Sequence, residues 1–202
     1  ALTLSGRLDQ ALEWVGRARA LSDPTDDRLG LLQQLLECTV LGAAGCVADA
    51  ARALPAFDGA TGDVHDSRHL DSRMSVQLAR FALASGDLQR AERWIAHADT
   101  HPEQRVSRVA APALGSWLHL CRGDVPGALE IARDACVAAA RLGLRPNIAS
   151  FDALLSLGWA QMLAGRSDEL AATLDALDEA ADAVDLPFVL LRLWPLQVMS
   201  HA

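Results

Sequence analysis

Apolar residues recur every three or four positions along most of the chain, and glycines interrupt the pattern at regular intervals. The period runs through about 28–43, 70–84, 107–121 and 149–163, and each of these stretches leads into a glycine. After each glycine it resumes, at about 46–56, 87–99, 125–141 and 168–183, with one earlier stretch at 8–20. Such spacing places apolar side chains on one face of a helix. No run of alternating β-branched residues reads as a strand. The pattern predicts an all-α protein of helix pairs.

The glycines set a frame. Gly6 is followed five and twelve residues on by Ala11 and Ala18, Gly86 by Ala91 and Ala98, and Gly123 by Ala128 and Ala135. Gly45 leads to Ala50 and Phe57, and Gly165 to the larger pair Leu170 and Leu177. The steps between these glycines are 39, 41, 37 and 42 residues. Five copies at one period define a repeat array. Each glycine is predicted to end one helix in the left-handed conformation. Asp87 and Asp124, which follow directly, suit the N-cap of the next helix. The small residues let paired helices approach closely.

This frame resembles the tetratricopeptide repeat, in which a small residue, a Gly and two Ala recur through helix-turn-helix units. The matching positions are Ala79, Gly86, Ala91 and Ala98; then Ser116, Gly123, Ala128 and Ala135; then Gly158, Gly165, Leu170 and Leu177. Pro24, Pro102 and Pro146 fall between units. The family's unit is about 34 residues, so the longer period here predicts longer helices or loops. Units of this length resemble the helical-repeat domains of large bacterial regulators, the MalT-like branch of the LuxR family among them. The resemblance implies a right-handed superhelix of antiparallel helix pairs spanning 1–202 as one domain, with second helices starting near 6, 45, 86, 123 and 165. It further implies a non-catalytic module that binds a protein, a peptide or a small effector within a larger cytoplasmic transcriptional regulator; the alternative is a stand-alone scaffold or adaptor. Both ends cut through a unit, which predicts a piece of a longer chain. Segments 1–6 and 187–202 would then expose apolar faces and favour self-association, with Leu190, Leu191, Leu193 and Trp194 involved.

Composition narrows the chemistry. The chain has 202 residues, 51% of them apolar, which is enough to bury a sizeable core. All 18 basic residues are Arg. The absence of Lys, with heavy use of Ala, Leu, Arg and Asp, suggests a GC-rich bacterial genome. It also rules out the Lys of a P-loop and of Schiff-base chemistry in this segment. A net charge of −8 disfavours a nucleic-acid footprint. "GLRPNIASFDALL" at 143–155 resembles the junction of a pentatricopeptide repeat, an RNA reader, but the period and the acidic charge speak against that family. No apolar run is long enough to cross a membrane, and the first residues lack the features of a signal peptide. Cys38, Cys46, Cys121 and Cys136 form no C-x-x-C pair and read as reduced, packed thiols.

His65 and His69, and again His97 and His101, stand four apart, a spacing that could bind zinc on a helix. Neither pair lies in H-E-x-x-H, and both read as solvated surface histidines. The acidic run at 167–185 reads as a solvated outer face. No nucleophile motif is present. The reading therefore assigns no catalytic residue, no metal and no cofactor.

The tryptophans carry the most information. Trp117 and Trp159 each lie six residues before their glycine, a position that in the tetratricopeptide frame faces the concave groove. Arg80 holds that position one unit earlier. Companion groove positions give Leu120, Asp152, Leu155 and Met162, with Arg73 about two turns back from Arg80. The expected ligand groove is thus Arg73, Arg80, Trp117, Leu120, Asp152, Leu155, Trp159 and Met162. Trp14 and Trp94 share a different position, eight residues after their glycine.

Overall fold

Wherever the computed structural model describes the chain, the elements are α-helices joined by turns or short connections. It describes residues 8–21, 33, 36–37, 40–41, 68–100, 104–144, 148–184 and 195–200; the side chains of 8, 19, 68–71, 73, 183 and 184 are outside this description. The helices are α1 (Leu8–Leu21), α2 (Arg68–Ala84), α3 (Leu88–Asp99), α4 (Ser107–Cys121), α5 (Val125–Arg141), α6 (Ile148–Leu163) and α7 (Ser167–Val184). Residues 195–200 are also helical. No strand occurs among the described residues, and no helix among them is long and apolar enough to cross a membrane. Boundaries from 70 onward fall within a few residues of those the hydrophobic period predicts. The helix predicted at 8–20 is α1, with Ala11 buried, and residues 33, 36–37 and 40–41 within the stretch predicted at 28–43 are helical; Gly6, the rest of the unit around Gly45, and Leu190, Leu191, Leu193 and Trp194 lie outside the described residues.

The turns follow the frame. Gly86, Gly123 and Gly165 have φ of 77°, 79° and 69°, where an L side chain is strained. Each closes its helix with the same two hydrogen bonds, the Schellman arrangement that satisfies terminal carbonyls. At the second turn, Gly123 N donates to Leu120 O (3.0 Å) and Asp124 N to His119 O (2.9 Å). Gly165 N to Met162 O (3.0 Å) and Arg166 N to Gln161 O (2.9 Å) repeat it. Asp87 then caps α3 by accepting from Arg90 N, and Asp124 caps α5 by accepting from Gly127 N, both at 3.0 Å. Asp87→Ala should cost about 1 kcal/mol of stability, with Asp87→Asn close to neutral. Equal urea midpoints for the two variants would count against the cap.

The small frame residues are where helices meet. Ala79, Ala91, Ser116, Ala128 and Ala135 are fully buried, and Ala98 nearly so. Ser116 Oγ donates to Ala128 O at 2.9 Å, pinning α4 against α5 at two frame positions. Gly158 takes the small position of α6, and a Cβ there would come within 2.7 Å of Leu196 Cδ2. Its bare backbone therefore lets the 195–200 segment dock. The helices form two layers. Each of α2 to α7 packs on the next, and α2, α4 and α6 also pack on one another as a row. No comparable row joins α3, α5 and α7. The outer acidic residues of α7, including Asp168, Asp175, Asp178, Glu179 and Asp182, are exposed, while Leu170 and Leu177 are buried.

Candidate functional site

The row α2, α4, α6 carries Arg80, Trp117 and Trp159 at one frame position. The two indoles are neighbours, with ring centroids 6.2 Å apart and planes tilted by 55°. Both are half-buried and rest on a cluster of Phe151, Leu155, Leu170, Leu177 and Leu196, with Met162 also against it. Leu120 packs elsewhere, against Ala128, Leu129, Ala132, Leu157 and Ala160 between α4, α5 and α6. Leu155 is buried beneath the indoles, so it supports the face and does not line it. Arg73 lies on α2, but its side chain is outside the described ones.

Arg80, at the same frame position of α2, is tied to α6. Its Nη2 forms an ion pair with Asp152 Oδ2, so a side chain of α2 reaches across α4 to α6. Asp152 is 0% exposed and Arg80 20%. The carboxylate interrupts the otherwise apolar run "IASFDALLSLGWAQML", and a buried charge needs a partner of opposite sign. Ala110 and Ala113, both fully buried, are the companion-position residues of the intervening helix.

Two donors on this face have no partner. Arg80 Nε and Trp117 Nε1 are buried without a hydrogen bond. An unsatisfied buried donor costs roughly 1–3 kcal/mol, so each marks a place where the fold leaves hydrogen-bonding capacity unused. Gln161 Oε1 is a third such atom, on a side chain 4% exposed.

Other polar groups have local structural roles. His97, expected as a solvated histidine, is half-buried: its Nδ1 lies 2.8 Å from Ser75 Oγ, and its ring meets Trp94 edge-on at 6.0 Å. Packing of α3 on α2 brings the ring onto Ser75, 22 residues away, a contact that sequence spacing alone does not report. Ser75 is 1% exposed, which closes this Ser–His contact to a substrate. Ser72 and Ser107 hydrogen-bond to each other nearby, joining α2 to α4. Cys121 is exposed, contrary to the packed thiol expected, because it lies at the open C-terminal end of α4. Cys136 is packed, and burial pushes its pKa up to about 11, far from a reactive thiolate. His65, His101, Cys38 and Cys46 lie outside the described residues. No cluster of metal-ligand type occurs among the described ones. Trp14 is 58% exposed, with the Arg17 guanidinium 5.1 Å over its ring.

Ion pairs tie the outer layer. Arg122 grips Glu92 with two hydrogen bonds (3.1 and 2.6 Å), and Glu169 accepts from Arg166 at 2.8 Å and Arg133 at 2.5 Å. These contacts hold the Glu92 and Glu169 carboxyls below their ordinary pKa; the His119 ring, then the Gly127 amide, do the same for Asp124. A depressed folded pKa gives stability above the unfolded value and loses it as pH falls through the folded one. The urea midpoint should hold from pH 7 to about 5 and fall below about pH 4, and Glu169→Gln should flatten that decline. A midpoint that rises on acidification would contradict the sign.

Comparison with protein-family models, with curated proteins and with solved structures found no match to this chain. What the protein does is therefore argued from its own residues.

Proposed function

We propose that this chain is a non-catalytic, tetratricopeptide-like repeat module whose α2–α4–α6 face binds a partner or effector. The observation that carries the reading is the row itself, with Arg80, Trp117 and Trp159 at one recurring position and two unpartnered donors among them. Repeat arrays use the surface of one helix row for recognition, because successive units present equivalent positions side by side. Stacked units with this turn geometry would continue as a right-handed superhelix with the row on its inner wall. A place within a larger cytoplasmic transcriptional regulator remains the parent reading, resting on repeat length. A stand-alone adaptor would use the same face.

The test separates recognition from packing. Trp117→Ala and Trp159→Ala should each weaken binding of the captured partner or effector by about 2 kcal/mol or more if the rings are hot spots. Both rings are half-buried, so stability should fall by less than the roughly 3–5 kcal/mol of a fully buried ring. Binding and urea unfolding are to be measured on the same variants. Unchanged binding with a large loss of stability would leave the indoles a packing role alone.

A further inference from the structure

The layer of α5 and α7 holds a depression of its own, apart from the Trp117–Trp159 row. α4 and α6 pack directly on one another, whereas α5 and α7 do not pack as a row, and Arg133 of α5 reaches Glu169 of α7 across the space between them. The depression measures about 360 Å³ and is lined by Pro126, Leu129, Glu130, Arg133 and Asp134 of α5 and by Arg166 of the turn into α7. That volume falls within the ~300–1,000 Å³ of small-molecule sites. Its charged side chains are exposed, so a ligand reaches them without breaking a contact. We infer that this depression is a site for a small zwitterion of the α-amino-acid class. Its carboxylate lies on the two arginines, its ammonium on Glu130 and Asp134, and its aliphatic side chain on Pro126 and Leu129.

Charge selects the ligand. Arg133 and Arg166 each give Glu169 one hydrogen bond. A guanidinium carries five N–H donors, so most remain for a second carboxylate. Two cations against one anion also leave a positive surplus. Glu130 and Asp134 are exposed, and neither forms an ion pair among the described residues. They stand four apart on one face of α5, where like charges repel. An ammonium between them relieves that repulsion. Neighbouring residues are turned by about 100° around a helix, which sets Arg133 and Asp134 on different sides of α5. A simple anion would meet two unpaired carboxylates, and a simple cation would meet the surplus of the arginine pair. A zwitterion satisfies both. Leu129, 5% exposed, and Pro126 supply the apolar part of the lining.

The experiment uses the whole chain, labelled with nitrogen-15, at about pH 6.5 and low salt, with three matched probes. Leucine is the zwitterion, N-acetyl-leucine keeps only the carboxylate, and leucinamide keeps only the ammonium. The backbone amide signals of Arg133 and Arg166 should move and saturate with leucine, and each singly charged probe should bind several-fold more weakly. Glu130→Gln with Asp134→Asn should erase the advantage of leucine over N-acetyl-leucine. Arg133→Gln with Arg166→Gln should erase its advantage over leucinamide. All four side chains are exposed, so both double variants should keep the circular dichroism of the parent. Where a double variant does not fold, its two single variants carry the same comparison, each with a reduced advantage. The assignment is overturned if leucine gives no saturable shift, if either singly charged probe binds as tightly as leucine, or if both advantages survive in the charge variants. Movement of the Trp117 and Trp159 indole N–H signals in place of the Arg133 and Arg166 amides would also overturn it, by moving the ligand to the row.

Discussion

Arg80→Met should destabilise the protein by about 3–5 kcal/mol, the usual result of removing one partner of a buried ion pair. The methionine keeps most of the apolar stem, so the loss comes from Asp152, which stays buried and loses the Arg80 guanidinium. Arg80→Met combined with Asp152→Asn should recover more than half of that loss, because the second change removes the buried carboxylate charge that Arg80 had offset. Urea denaturation of the two single variants and the double variant gives the coupling energy directly. Additive losses would mean that the pair contributes no more than its separate side chains. The cycle also tests whether α2 and α6 approach one another in solution as closely as this bridge requires.

The second large effect lies beneath the indoles. Phe151 is fully buried among Leu155, Leu170, Leu177 and Leu196, with Trp117 and Trp159 packed against that cluster. Phe151→Ala removes a ring and leaves a cavity, at a cost of about 3–5 kcal/mol. The indoles would lose their floor, so tryptophan emission should move to longer wavelength even where the variant remains folded. Phe151→Leu should cost less and leave the emission nearly unchanged. If Phe151→Ala cost under about 1 kcal/mol, the cluster would be loosely packed and could not hold the rings in register.

Much of this arrangement is legible in the sequence, and the reason is geometric. A helix that must cross another closely needs a small residue at the crossing, and a turn with positive φ needs glycine. Ala79, Gly86, Ala91 and Ala98 therefore mark both the turn and the contacts of α2 with α3 before any coordinates are known. The pairing of Trp117 with Trp159 follows the same logic, since equal frame positions on packed helices become neighbours. Other features depend on how the units stack. Arg80 and Asp152 are 72 residues apart, and no local spacing says that α2 can reach α6. The isolated acid in the apolar run of α6 was the available signal that some cation must come to it. Leu155 shares the periodicity of a lining residue but lies under the rings, because periodicity identifies a face and not its depth. Gly143, with φ of 57°, closes α5 by the same turn geometry outside the repeat frame.

Repeat arrays are commonly treated as one-dimensional systems in which each unit interacts only with its neighbours, so that ends can melt while the middle stays folded. The bridge from Arg80 to Asp152 breaks that approximation, because it links α2, at one side of the row, to α6, past the helix between them. Opening either end costs the pair as well as the local interface. The segment from α2 to α6 should therefore melt as one cooperative block, with amide exchange in both helices governed by a single opening event.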